Sequence, residues 1–177
     1  MKASKKSYFF NIMVAVSCFI SISATHAANP SATTVSVVIP ALVQISGLSD
    51  ITLAPISFGS PVTGATTACI YTNVINPLGS YYVTATSTNA SAGVFRVTNG
   101  ANFISYNAFW SPTSSSAQTI PLTSGIKTTQ QSGGNSTSLT CSGTPNANFN
   151  ISFTNAQVAG ASAGTYTDTV TLLVSPS

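Results

Sequence analysis

The stretch Thr33 to Ile45 reads T-T-V-S-V-V-I-P-A-L-V-Q-I, and every odd-numbered position from 35 to 45 is apolar. A period of two places those side chains on one face of an extended strand. Extended throughout, the stretch would span roughly 43 Å, about twice the length of an ordinary strand, and Pro40 interrupts its middle. We therefore expect the stretch to perform two consecutive roles. A single long first strand is the alternative that the alternation leaves open.

Residues 1–27 have the pattern of a secretory signal peptide. Three lysines precede an apolar run from Tyr8 to Ile22, and Thr25-His26-Ala27 offers small residues at a cleavage site. We predict cleavage after Ala27 and export of the chain. A transmembrane helix is the weaker alternative, because the apolar run is short and no stop-transfer pattern follows it.

Removal of residues 1–27 leaves a chain that carries almost no charge. Its charged side chains sum to zero and are Asp50, Arg96, Lys127 and Asp168. The basic balance of the whole sequence thus belongs to the leader, and no nucleic-acid partner is expected. A neutral surface is poorly protected against association, which suits a protein that assembles.

Two cysteines, Cys69 and Cys141, remain after the leader is removed. An even number of cysteines in an exported chain predicts a disulfide between them. A redox or metal-binding thiol pair is disfavoured, because the chain after residue 27 has no His, no Glu and no C-x-x-C motif. We expect a structural bond and no cofactor.

Short apolar or alternating runs separated by turn residues indicate an all-β sandwich. Outside the leader no run has a helical period. Thr119–Thr123 is at best a short strand, Ile51–Phe58 is a short apolar run, and Lys127–Ser138 reads as a loop or weak edge. The predicted strands are Ala68–Val74, Tyr81–Thr86, Val94–Val97, Phe103–Trp110, Asn148–Thr154 and Tyr166–Val174.

After residue 27 the sequence contains few side chains that could act in catalysis: it has no His and no Glu, and its carboxylates are Asp50 and Asp168. A serine triad would lack its base and a zinc site its nitrogen ligands. We interpret Asp50 and Asp168 as turn or edge residues, and we expect no enzyme.

Aromatic residues raise a second function, the binding of sugars. Trp110 with Phe109 and Tyr106, or the pair Tyr81-Tyr82, offers rings for stacking. We favour the interpretation that these rings are core and interface residues of the sandwich.

Three segments resemble a known family. Ala163–Val174, A-G-T-Y-T-D-T-V-T-L-L-V, is similar to the A-G-T-Y-x-D-T-V close of spore coat protein U domains, which include the major subunits of archaic chaperone–usher pili. Ile104–Asn107 resembles the family's central segment, and Leu53–Gly59 its early F-G signature. The chain departs from the family at Val43–Ser46, which lacks the usual cysteine, so the sister alternate class of pilins stays open.

The resemblance implies an incomplete, antiparallel, immunoglobulin-like sandwich. Such a subunit lacks its last strand, and the N-terminal extension of the next subunit fills the groove by strand addition. The sequence ends three residues after Val174, which fits this expectation. The implied partners are identical or related subunits, a periplasmic chaperone, an outer-membrane usher, and a surface or host receptor.

The resemblance also divides the chain into a signal peptide over 1–27, a donor-strand extension over 28–39 and a pilin-type domain over 40–177. The donor side chains would be Val35, Val37 and Ile39. The groove would be lined by the last strand through Tyr166, Val170, Leu172 and Val174. The expected function is a structural subunit of a surface pilus that supports adhesion and biofilm formation. The alternative is a secreted, self-sufficient β-sandwich that binds a glycan or a host surface.

Overall fold

The structure, a computed structural model, describes residues 32–53 and 61–177. The predicted signal peptide, the first residues of the extension and the F-G signature at Ser57–Gly59 lie outside the described residues. The chain divides into two units, Met1–Val37 and Val38–Ser177. The boundary predicted between Ile39 and Pro40 stays a prediction.

The described residues of the second unit form eight β-strands and almost no helix. The short helical pieces are a 3-10 turn at Cys141–Gly143 and a one-turn helix α1 at Asn155–Val158. All ladders between the described strands are antiparallel. The strands are β1 (Val43–Ser46), β2 (Val62–Thr72), β3 (Tyr81–Ser87), β4 (Phe95–Thr98), β5 (Phe103–Ser111), β6 (Ile120–Pro121), β7 (Ala147–Phe153) and β8 (Val170–Pro176).

The strands form two sheets. The larger sheet has the order β1-β2-β7-β5-β4, with β6 on β5, and the smaller sheet pairs β3 with β8. The long strand β2 connects β1 to the rest of the larger sheet, because its C-terminal part pairs with β1 and its N-terminal part pairs with β7. This arrangement confirms the predicted class, an all-β, antiparallel, sandwich-like fold.

The core contains the alternate residues of β3, β5 and β7. Buried side chains from the smaller sheet include Tyr81 and Val83, and those from the larger sheet include Tyr106, Trp110 and Phe149. Tyr81 and Trp110 meet edge to face at a centroid distance of 6.4 Å, and the Trp110 indole N–H donates to the Tyr81 hydroxyl at 3.3 Å. Burial raises the pKa of Tyr81 to about 12. The aromatic pair therefore joins the two sheets.

Strand β7 is buried on both faces, which its alternating sequence did not predict. Phe149 and Phe153 face the core, and the polar residues Asn148, Asn150 and Ser152, which alternate with the apolar ones, are buried as well. The segment 112–118 covers them: the amides of Asn148 and Asn150 donate to the carbonyls of Ser114 and Ala117. Backbone acceptors in a polar loop thus replace the solvent as partners of the amide N–H donors of both side chains.

The last strand starts later than predicted, at Val170 rather than Tyr166. Before that point the chain pairs elsewhere: Thr167 and Thr98, at the end of β4, exchange two backbone hydrogen bonds of 2.9 Å. The chain then crosses to the smaller sheet, where the Thr88 N–H donates to the Thr169 carbonyl. Residues 166–169 are therefore a crossing between sheets, and the prediction that Tyr166 belongs to the last strand is wrong.

The predicted disulfide is present. Cys69 of β2 is bonded to Cys141 of the 3-10 turn, with the two Cα atoms 5.7 Å apart. The bond fixes the long loop before β7 against β2. By the chain-entropy argument a loop of this length contributes about 4 kcal/mol.

Candidate functional site

Strand β3 has hydrogen-bonded neighbours on both of its edges. One edge pairs with β8, and the other is covered by residues 125–131. Tyr81 and Gln131 exchange backbone hydrogen bonds of 3.2 and 2.8 Å, and the Thr128 N–H donates to the Val83 carbonyl at 2.9 Å. Residues 127–131 of this covering segment fall within Lys127–Ser138, which was predicted to be a loop or a weak edge. It satisfies the backbone of β3 on its outer side.

Strand β8 has a described partner on one edge alone. Tyr81 and Val83 direct their backbone groups at the covering segment, so the alternate residues of β3 direct theirs at β8. In the register of the two strands these hydrogen-bonded pairs are Tyr82↔Ser175, Thr84↔Leu173 and Thr86↔Thr171. The remaining backbone groups, those of Val170, Leu172 and Val174, point away from β3. Within 32–53 and 61–177 no strand pairs with them.

The same residues direct their side chains at the core. Val170, Leu172 and Val174 are half-buried and pack against it, whereas Leu173, on the other face, is 62% exposed. As far as residues 32–53 and 61–177 show, the open edge of β8 thus combines unpaired N–H and C=O groups with apolar side chains. Such an edge is a template for another strand.

Strand β1 has a second open edge of the same kind. Asn135 pairs with the backbones of Ile70 and Thr72 from the far side of β2. The other β2 residues therefore bond to Gln44 and Ser46 of β1. Val43 and Ile45 direct their backbone groups away from β2 and pack their side chains on the core. The structure describes no strand on this edge either.

The two open edges lie near each other. Cα atoms of β1 and β8 approach to within 8 Å, yet no ladder joins the two described strands. Two strands that flank a third are about 9.6 Å apart, so where their Cα atoms lie within 8 Å the two edges must separate by at least about 1.6 Å to admit one. We call this gap the open groove, bordered by Val43, Ile45, Val170, Leu172 and Val174.

Three of the four residues predicted to line a groove, Val170, Leu172 and Val174, lie on the open edge of β8, and their role in a groove stays a prediction. Tyr166 is not on β8, and its hydroxyl donates to the Ser162 carbonyl at 3.1 Å. Sequence reasoning missed the contribution of β1. The signal was present, because Val43 and Ile45 continue the odd-numbered apolar series of the opening stretch.

The predicted donor residues are exposed. Residues 32–42 form no strand, and the exposed fractions of Val35, Val37 and Ile39 are 89%, 81% and 76%. The opening stretch is therefore not one long strand. Alternating apolar side chains without a covering partner are unfavourable in water, at about 25 cal/mol per Å² of apolar surface. The donor role of residues 28–39 stays a prediction.

A hydrogen-bonded anchor holds the start of β8. The Tyr106 hydroxyl donates to Asp168 Oδ2 at 2.7 Å, and Oδ1 accepts from Thr88 and Asn89 at 3.2 and 3.0 Å. Burial, together with the Asp168 carboxylate, raises the pKa of Tyr106. Tyr106 and Asp168 come from two of the three segments that carry the family resemblance. Their contact gives these segments a common structural role.

The aromatic residues considered for sugar stacking lie mostly inside the protein. Trp110, Tyr106 and Tyr81 are buried, and Phe109 is half-buried. Tyr82 faces outward, with Lys127 Nζ 4.3 Å from its ring centroid. This placement agrees with the core and interface interpretation of these rings.

The described residues offer little for other chemistries. They contain no group of three His, Cys, Asp or Glu side chains that could hold a metal ion. No helix in the described part of the chain is long and apolar enough to cross a membrane.

Comparison with known proteins gives a relationship of fold. No family model and no curated protein matches the sequence. A chain from a solved structure, described as a chaperone–tip adhesin complex in the biogenesis of CFA/I fimbriae, matches with a TM-score of 0.50 at 16% sequence identity. The match covers 76% of this chain and 41% of that one, so this chain spans less than half of that chain's length. This protein is thus similar in fold to a component of a fimbrial complex.

Proposed function

We propose that the protein is an exported structural subunit of a surface pilus or fimbria, assembled by the chaperone–usher pathway through donor-strand complementation. The observation that carries the proposal is the open edge of β8, where Val170, Leu172 and Val174 combine backbone groups that no described strand pairs with and core-facing side chains. The similarity in fold to a component of a chaperone–tip adhesin complex supports it. In this role the subunit supports adhesion and biofilm formation.

A strand inserted into the open groove makes two kinds of contact. Its backbone pairs with the free N–H and C=O groups of β8 and β1, each bond contributing about 0.5–1.5 kcal/mol net. Its alternate side chains complete the core. Val35, Val37 and Ile39 have the required spacing, and their full burial contributes roughly 5–8 kcal/mol before ordering costs.

The partners follow from the same edge. Before assembly a periplasmic chaperone supplies the strand, and at the outer-membrane usher the extension of the next subunit replaces it. The contact joins two different surfaces of the same chain and does not close on itself, so its repetition gives a fibre. Export over residues 1–27 and location at the cell surface belong to this proposal, as does the surface or host receptor.

The test compares both faces of the extension in the exported chain co-produced with its chaperone and usher. Val35→Asp with Val37→Asp places charges where the groove is apolar, and we expect no surface fibres. Val38→Asp is the matched control: Val38 is 90% exposed and has the opposite parity. We expect it to form fibres. Fibres of normal yield from the double variant, counted by electron microscopy, would contradict the proposal.

A further inference from the structure

Three residues connect the exposed extension to β1, and one side chain holds them. Asn73 follows the last residue of β2. Its amide Nδ2 donates to the Pro40 carbonyl at 2.9 Å, and its Oδ1 accepts from the Leu42 N–H at 2.7 Å. The Asn73 N–H also donates to the Leu42 carbonyl at 3.1 Å. Asn73 thus contacts the backbone on both sides of Ala41.

These bonds continue the β1–β2 ladder beyond β1. The ladder pairs Val43 with Thr72, so Leu42 lies opposite Asn73 in the same register. The side-chain amide then extends the pairing to Pro40. The backbone from Pro40 to Val43 is therefore held alongside the line of β2.

A chain that bends back needs a different path. To enter the open groove of its own domain, the extension would have to reverse direction between Ile39 and Val43 and pair with the free edge of β1. A hairpin loop of this length requires turn geometry at residues 40–42. A turn there changes the backbone dihedral angles that present the Pro40 carbonyl and the Leu42 N–H to Asn73. Reversal of the chain therefore competes with these two bonds.

We propose that Asn73 is a positioning residue that keeps the extension out of the open groove of its own domain and leaves it available to a second copy of the chain. The inference rests on the proposed function. A short tether gives intramolecular insertion an effective concentration in the millimolar range. Without an opposing device, self-insertion would compete strongly with a neighbouring subunit. The bonds of Asn73 oppose it.

The test uses the mature chain, refolded at low concentration with its disulfide intact, and measures the ratio of monomer to polymer by size exclusion with light scattering. For Asn73→Ala we expect this ratio to rise about five-fold, the equivalent of about 1 kcal/mol. Asn73→Asp keeps the acceptor for the Leu42 N–H and loses the donor to the Pro40 carbonyl. Its monomer-to-polymer ratio should therefore lie between those of the wild-type chain and Asn73→Ala. Asn99→Ala is the matched control: Asn99 is exposed, and its Oδ1 also accepts from two backbone N–H groups, those of Ala101 and Asn102. We expect no change there.

A second measurement identifies what fills the groove. The monomer of Asn73→Ala should melt at a higher temperature than the wild-type monomer, and adding Val37→Asp should remove that gain. Equal ratios for Asn73→Ala and Asn99→Ala would overturn the inference while leaving the proposed function standing. The proposed function, and this inference with it, would be overturned if the wild-type chain formed no polymer and Val37→Asp changed neither its monomer-to-polymer ratio nor its melting temperature.

Discussion

The two strands of the smaller sheet, β3 and β8, present opposite solutions to the problem of a sheet edge. The outer edge of β3 is covered by the polar segment 125–131, which pairs with Tyr81 and Val83 through the backbone. The outer edge of β8 has no described partner, although its core-facing residues are more apolar. A natural sheet normally protects its edges. Among the described residues the edge of β8 is the uncovered one, and the proposed function assigns this edge to pairing with a strand from another chain.

The largest effect is expected where the edge is open. Leu172→Asp places a charge in the open groove, and its burial under an inserted strand should lower the yield of polymer on the order of 100-fold. Leu173→Asp is the neighbouring control, because Leu173 is 62% exposed on the opposite face. The measurement is the polymer fraction of the refolded mature chain. Equal loss in both variants would show that the face of β8 does not matter.

A smaller effect is expected where the edge is covered. Gly79 has φ +72°, and a Cβ there would lie 2.7 Å from the Gly134 carbonyl oxygen, next to the segment that covers β3. Gly79→Ala should lower the free energy of unfolding by about 2–3 kcal/mol. Gly125→Ala has a similar φ of +80° with open space around it, and should cost about 1 kcal/mol. Urea titration compares the two. A Gly125 variant as costly as the Gly79 variant would remove the packing explanation.

The smallest effect concerns the anchor of β8 at alkaline pH. The pKa of Tyr106 is raised in the folded state, so above about pH 10 the unfolded chain loses this proton first and stability falls, by up to about 1.4 kcal/mol per pH unit. Tyr106→Phe removes this contribution, and the decline should become shallower. Tyr81, with its pKa raised to about 12, continues to contribute. Unfolding midpoints from pH 8 to 11 measure the slope, and an unchanged slope would contradict the assignment.

The sequence was sufficient to predict two features of the fold: the side-chain face of the last strand and the disulfide bond. Alternation in the last predicted strand placed Val170, Leu172 and Val174 on one face, together with Tyr166, which lies outside β8. The cysteine count predicted the bond between Cys69 and Cys141. Both follow from residue types along a single segment, and the structure contains both.

The misses have a common physical cause, which is pairing with a distant segment. The start of β8 depends on the bond between Thr167 and Thr98, and the burial of Asn148 depends on the loop at Ser114. The cover on β3 is made by backbone bonds from a polar stretch without apolar periodicity. Backbone groups are the same in every residue, so the sequence contains little information about which of them will meet.

The position of the disulfide also bears on mechanical load. In the proposed fibre, tension enters a subunit through Pro40 and passes along β1, whose four ladder pairs run from Val43↔Thr72 to Ser46↔Cys69. A pull along the strand loads these pairs together, in shear. The last pair ends on Cys69, which is covalently bonded to Cys141. Force that passes through the ladder thus reaches a crosslink that unfolding of β2 cannot undo, and this crosslink limits how far a stretched subunit can extend.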